Sequence, residues 1–208
     1  AVLKKKLAEE MEKFLDSDKK IRIINPDKIA PVKQDEHGKQ RQTNGVWEKY
    51  APMSELTLAE KTRMIAEAAI QSCKKRGVTK TARLLIVLEE AHSLVPEWNS
   101  VANKGDEHAT NGTARVVLQG RKYGLGVMII TQRTANVTKS ILNQCNTIFS
   151  MRVFDDTGKG FLENYFGQEY TNTLPTLDER HAIVIGKGLK LKQPVIVQLN
   201  NKAHVHTD

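Results

Sequence analysis

What the chain does not contain narrows it first. No apolar run approaches the ~20 residues a helix needs to span a bilayer, so no membrane role is expected. No charged segment followed by an apolar stretch opens the chain as a secretory leader would, which points to the cytoplasm. The cysteines number two, Cys73 and Cys145, far apart and without the spacing of a zinc site or a redox pair. Both read as reduced core thiols. The string Gly-x-x-x-x-Gly-Lys-Ser/Thr, whose backbone amides cradle phosphates, is absent. Its nearest approaches, Gly158-Lys159-Gly160 and Gly186-Lys187-Gly188, lack both the spacing and the following hydroxyl. The chain alone is therefore not expected to hydrolyse a nucleotide.

What is present is an ordinary globular composition of 208 residues, 39% hydrophobic and 27% charged, long enough for one domain with a real core. The net charge of +8 and a pI near 9.4 permit binding to a polyanion. Cations gather at Lys4 to Lys6, Lys74 to Arg76, Arg121-Lys122 and Lys187 to Lys192, spread along the chain. Only the folded arrangement tells whether they converge or form a solvated basic surface.

The organising stretch is Leu84-Leu85-Ile86-Val87-Leu88-Glu89-Glu90-Ala91-His92. Five consecutive aliphatic residues without polar alternation read as a strand buried on both faces, as in a parallel sheet covered by helices. Ligands of open α/β sheets sit beyond the carboxyl ends of the strands, so Glu89 and Glu90 fall where chemistry is done. Neighbours on a strand point in opposite directions, which lets one acid hold a hydrated metal ion while the other polarises a water. The ordinary alternative is a pair of acids at a helix N-terminus. A second apolar run, Gly126-Val127-Met128-Ile129-Ile130, also ends in polar residues, Thr131-Gln132-Arg133. A glutamine at such a tip suits contact with a phosphate oxygen or with water.

Along the rest of the chain, Val2, Leu3, Leu7, Met11, Phe14 and Leu15 predict an amphipathic helix over 2–15. Ile21-Arg22-Ile23-Ile24 predicts a short strand closed by Asn25-Pro26. Residues 31–56 read as an exposed polar loop or insertion. Thr57-Leu58-Ala59-Glu60 is a capping box, followed by an inward stripe of Leu58, Ile65, Ala69 and Cys73 and a stop at Gly77. Residues 96–112 read as a loop, with a helix from Thr113 to Lys122. Ala135 to Gln144 reads as a short helix, Thr147 to Val153 as a strand, and Asp155 as the cap of a helix that ends at Gly167. The runs His181 to Gly186 and Pro194 to Leu199 predict a closing hairpin. The chain carries no initiator Met and starts inside a helical pattern, which suggests a fragment.

The ordered set of apolar strand, Glu89-Glu90-Ala91-His92, then Gly120-Arg121-Lys122-Tyr123-Gly124, strand, Thr131-Gln132-Arg133, Asn143-Gln144-Cys145-Asn146-Thr147 and Met151-Arg152-Val153 resembles the HerA branch of the HerA/FtsK motor ATPases, from about Arg83 to about Leu199. The resemblance implies an α/β fold: a RecA-like P-loop core with a mostly parallel sheet and helices on both faces, incomplete because the phosphate loop would lie upstream. In that frame 1–30 supply a helix and strand of the core, 31–56 a polar loop, and 57–208 the C-terminal part of the ATPase domain. It implies ATP and Mg²⁺ as cofactors, DNA as partner, a homo-oligomer, hexameric in this family, and an accompanying nuclease or effector in DNA end processing or antiphage defence.

By the same resemblance Glu89 holds Mg²⁺ through water, in place of the commoner Asp, and Glu90 activates the attacking water. Gln132 senses the γ-phosphate. Arg121, or secondarily Arg115, reaches a neighbour's nucleotide as a trans-acting arginine, the alternative being an ordinary surface arginine. Gly186 and Lys187 help cover the nucleotide. Arg152 approaches phosphates or pairs with Asp155 or Asp156. Trp98 and Lys104 touch DNA, or else Trp98 packs on the sheet and Lys104 is solvated. His92 is expected to hydrogen-bond locally and couple the acid pair to the loop that follows. The competing reading of the whole is a non-hydrolysing ring subunit that serves as scaffold for DNA or a partner protein.

Overall fold

The computed structural model describes residues 2–26, 32–34, 40–42, 56–97 and 104–200. They fall into two compact units, the first comprising 1–131 with 136–141 and the second 132–135 with 142–208.

In the first unit, helix α1 (Val2–Leu15) precedes a short antiparallel pair, β1 (Val32–Gln34) with β2 (Gln40–Gln42). Helix α2 (Leu58–Lys75) starts as its capping box predicts: the Thr57 hydroxyl accepts from the Glu60 amide, and the Glu60 carboxylate accepts from the Thr57 amide at 2.9 Å. It buries Ala59, Ala66, Ala68, Ala69, Ile70 and Cys73 among others, a side shifted from the expected stripe, with Leu58 and Ile65 only half-buried. Arg83 holds the carbonyls at and just past the end of α2, its guanidinium donating to Cys73 O at 3.3 Å, Arg76 O at 2.9 Å and Gly77 O at 2.6 Å, so the strand that follows is tied to the helix end.

Strand β3 (Leu84–Leu88) pairs in parallel with β4 (Leu125–Ile129), Leu84 opposite Leu125 and Leu88 opposite Ile129. Between them lie α3 (Ala91–Leu94) and α4 (Lys104–Gly120), then a 3₁₀ turn over Arg121–Tyr123. Leu84, Ile86 and Leu125 pack on α2 and on Val116 of α4. The opposite face is open: Leu85, Val87, Met128 and Ile130 are 56%, 49%, 46% and 45% exposed. The expectation of a strand buried on both faces is thus corrected. Alternate residues point to opposite faces, and the described helices cover one of them.

The second unit holds an antiparallel sheet in the order β5 (Thr147–Ser150), β6 (His181–Gly186), β7 (Leu191–Gln198), so among the described residues parallel pairing is confined to β3 and β4. Helix α6 (Asp156–Phe166) begins where Asp155 caps it, its carboxylate accepting from the Gly158 amide at 2.6 Å, and stops at Gly167. Its Leu162 and Phe166, with Leu174 and Leu177 from the turn after α7 (Gln168–Thr173), pack with Ile183. A helix α5 (Lys139–Leu142) lies at the junction of the two units in sequence.

Three further expectations are corrected. Residues 21–24 form no strand, and Ile21 and Ile23 are 80% and 91% exposed; a strand exists only through a ladder partner, and no described strand runs beside this segment. The polar stretch 31–56 is not wholly loop, since it contains β1 and β2; its remaining residues and its exposure lie outside the described residues. Helix α4 starts at Lys104 and takes in half of what reads as loop over 96–112, because Ala109, Thr110, Thr113 and Ala114 give it a buried side that its polar composition conceals. Trp98 and the side chain of Lys104 lie outside the described residues.

Candidate functional site

Parallel register brings the carboxyl ends of β3 and β4 to one rim of the first unit. The pairing continues one step past the strands: the Ile130 amide donates to Leu88 O at 2.9 Å and the Ala91 amide to Ile130 O at 3.0 Å. Glu89 and Glu90 occupy this tip and both are exposed. Glu90 forms the turn into α3 in the left-handed region, at φ 50° and ψ 48°, which is uncommon for a residue with a side chain. The Ser93 amide donates to Glu90 O at 2.9 Å and Val95 is fully buried, so the turn is anchored on both sides.

His92 leans back over this turn. Its Nδ1 lies 3.3 Å from Glu90 Oε2, with the His92 side chain 22% exposed and that of Glu90 55%. The expected local hydrogen bond is not completed, and His92 only approaches the second acid. Beyond α3 the carboxylate of Glu97, 4% exposed, accepts from the Lys139 amide at 2.7 Å and joins the segment after the acid pair to the start of α5. Sequence reading missed Glu97, whose neighbours Pro96 and Trp98 suggest a loop and nothing more.

Among the described residues no group of three or more His, Cys, Asp or Glu side chains could enclose a metal. Two exposed carboxylates at one tip suit a hydrated Mg²⁺, which keeps most of its waters, and do not suit a closed zinc site. Gln132 follows the tip of β4 by three residues and packs with the second unit.

Arg121 lies at the other rim of the first unit. It precedes β4, while Glu89 follows β3, so the five-residue strands separate the two ends by about 17 Å. There it lines a groove of about 730 Å³ with Lys80, Lys122, Thr79, Gln119 and the exposed apolar side chains of Val78 and Leu118. Lys122 Nζ stands 5.1 Å over the Tyr123 ring, and Lys74 stands 5.7 Å over the same ring while donating to Gln119 Oε1 at 3.2 Å. No carboxylate is among the described residues that line the groove. Lys122 adjoins Arg121 in sequence, whereas Lys80 joins them only in the folded chain, and spacing alone did not reveal it. Gly124 closes the turn at φ 76°, where a Cβ would press on the Thr81 carbonyl. Arg115 is exposed on α4 and borders a neighbouring groove with Arg63, Glu67 and His108.

In the second unit Arg152 Nε donates to Leu177 O at 2.6 Å. Its alternative partners are otherwise engaged, Asp155 as the α6 cap and Asp156 with Lys159 at 2.7 Å. Gly186 has φ 136°, and a Cβ there would collide with Asn146 O and the Thr147 backbone. Close packing on β5 is sufficient reason for a glycine at that position. Lys187 is exposed and its amide donates to Asn146 O at 3.0 Å. The two cysteines are as expected: Cys73 is fully buried, Cys145 partly, and burial pushes both thiols above their usual range.

No family model matches the chain. In sequence it is similar to the DNA double-strand break repair helicase HerA of Pyrococcus furiosus, 25% identical over 122 residues, 57% of this chain and 20% of that one. The helicase of the same name from Saccharolobus solfataricus is 27% identical over 120 residues, 56% of this chain and 22% of that one. A probable helicase HerA of Methanocaldococcus jannaschii is 23% identical over 149 residues, 69% and 28% of the two chains. The chain thus spans about a fifth to a quarter of the length of the curated relatives it matches. Among solved structures it aligns with the genome packaging NTPase B204 of Sulfolobus turreted icosahedral virus 2 in complex with ATP-gammaS, at 17% identity and TM-score 0.48 over 67% of this chain and 64% of that one.

The chain is a mixed α/β protein with a small parallel strand pair covered by helices on one face. Its resemblance, carried by the sequence relatives, is to the HerA-type DNA helicases. No helix among the described residues is long and apolar enough to cross a membrane.

Proposed function

We propose that the chain is part of an ATP-driven DNA translocase of HerA type, which couples nucleotide hydrolysis to movement of DNA in a ring of identical subunits. The observation that carries this reading is the shared rim of β3 and β4, where Glu89 and Glu90 leave one strand beside the end of its parallel neighbour. The curated HerA relatives support it over 56 to 69% of the chain.

In this reading Glu89 holds the hydrated Mg²⁺ that neutralises phosphate charge, and Glu90 orients the attacking water and accepts its proton. Gln132, carried beyond the β4 tip, reports the terminal phosphate. Arg121, about 17 Å along the sheet from the acids, acts on the nucleotide of a neighbouring subunit, and its acid-free groove suits an approaching phosphate. Arg115 is the second choice for that role. Gly186, Lys187 and Arg152 contact the nucleotide. The phosphate cradle is supplied by sequence outside the 208 residues, because no Gly-x-x-x-x-Gly-Lys-Ser/Thr occurs within them. A nuclease or other effector works with the ring, in the cytoplasm, in DNA end processing or antiphage defence.

The test is Glu90→Gln in the full-length protein. DNA-stimulated ATP turnover falls by about 10²–10⁴-fold, with ATP binding and assembly intact; unchanged turnover removes Glu90 from the role. Arg121→Ala lowers turnover about 10³-fold or more, and mixing it with Glu90→Gln subunits restores part of the activity if sites are shared. The absent phosphate string keeps the scaffold reading in play. A full-length protein that binds DNA and its partner but never turns over ATP establishes that reading instead.

A further inference from the structure

We infer that His92 is a positioning residue for Glu90, holding the carboxylate through a proton on Nδ1. The inference rests on the reading of Glu90 as the group that activates water. Three observations meet at this turn. Glu90 is locked in a left-handed conformation that costs a side-chain-bearing residue free energy, and such conformations persist where the surroundings impose them. The surroundings do so here through the Ala91 amide on Ile130 O, the Ser93 amide on Glu90 O and the Val95 amide on Ala91 O.

The third observation is His92 Nδ1 itself. It is shielded from solvent and completes no hydrogen bond, although Glu90 Oε2 stands 3.3 Å away. A buried ring nitrogen without a partner is rare enough to require an account. The approach is oblique, and a small rotation of the exposed Glu90 side chain makes it a full bond. A carboxylate only accepts, so Nδ1 must carry the hydrogen, and of the two neutral tautomers the contact selects Nδ1–H, with Nε2 as the acceptor. The flexible Glu90 side chain is then restrained at one oxygen while the other stays open to solvent. That division of labour, one oxygen tethered and one free, is what a base needs to meet a water in a single geometry. Because the tether originates on α3, any movement of the segment 91–97 is transmitted to Glu90.

The experiment uses the full-length protein. His92→Leu lowers kcat for ATP turnover about 10–100-fold, the range for losing a supporting hydrogen bond to a site residue, while KM for ATP stays within about twofold. His92→Asn, whose amide nitrogen can take the place of Nδ1–H, recovers most of kcat. In a Glu90→Gln background His92→Leu has no further effect. Without nucleotide, ¹⁵N shifts of labelled histidine rings show His92 as the Nδ1–H tautomer.

An unchanged kcat in His92→Leu overturns the inference, as does an Nε2–H tautomer. An equal loss in Leu and Asn variants accompanied by a fallen Tm makes the residue merely structural and overturns it too. If Glu90→Gln itself turns over normally, the reading beneath has failed, and that result is separate from any outcome at His92.

Discussion

Replacing Glu90 by glycine and by alanine gives a stability comparison whose sign is set by one backbone angle. At φ 50° and ψ 48° a residue with a Cβ pays about 1–2 kcal/mol for crowding against the carbonyl that follows. Glycine escapes this but loses more chain entropy on folding, about 0.5–1 kcal/mol relative to alanine. Both variants lose the Glu90 carboxylate and its contact with His92 equally, so that term cancels. The difference leaves glycine ahead of alanine by about 0.5–1 kcal/mol. At a right-handed helical position the order is reversed by about the same amount. Urea unfolding of the two variants, with a common slope, should place the glycine midpoint higher. Thermal scans should separate them by about 1–4 °C, since a chain of this size shifts about 2–4 °C per kcal/mol. Both lose DNA-stimulated turnover in the full-length protein. A glycine variant no more stable than alanine would refute the left-handed turn at Glu90, and with it the account of how the acid pair is presented.

Two other predictions concern the second unit. Gly186→Ala should cost about 1–3 kcal/mol and lower Tm by about 2–12 °C without any nucleotide present, because the new Cβ meets the Asn146 and Thr147 backbone; an unaltered Tm with weakened nucleotide binding would show instead that the glycine is there for a ligand. The Lys159 ammonium beside Asp156 holds its carboxyl below the usual value of 3.8, through the hydrogen bond first and charge second. A depressed folded pKa means that this contact helps α6 above the unfolded value and is lost as pH falls through the folded one. In Lys159→Ala the Asp156 titration, followed by NMR, should return toward 3.8; no movement would separate the two residues in solution.

Much of the local structure was legible because its causes are local. The Thr57 and Glu60 pair, the Asp155 cap, the stop at Gly77 and the β6–β7 hairpin each depend on a few adjacent side chains finding nearby amides or on a turn joining neighbours in sequence. The failures fall where a segment depends on something distant. Ile21 to Ile24 has the side chains of a strand but no ladder to join, and the polar start of α4 becomes helix because its Ala109 and Thr113 side finds a core.

The sequence by itself determined that Glu89 and Glu90 end a strongly apolar run and that Arg121 precedes another, because order along the chain is all that such statements need. Only the tertiary structure decided what those positions mean to one another. Parallel pairing of β3 and β4 sets the acids and the arginine at opposite rims of one unit, and folding brings Lys80 to the Arg121-Lys122 pair. It also turns His92 onto Glu90 and leaves one face of the strand pair open. Distances across a sheet come from register and from which face the helices cover, and both are set by segments far apart in sequence.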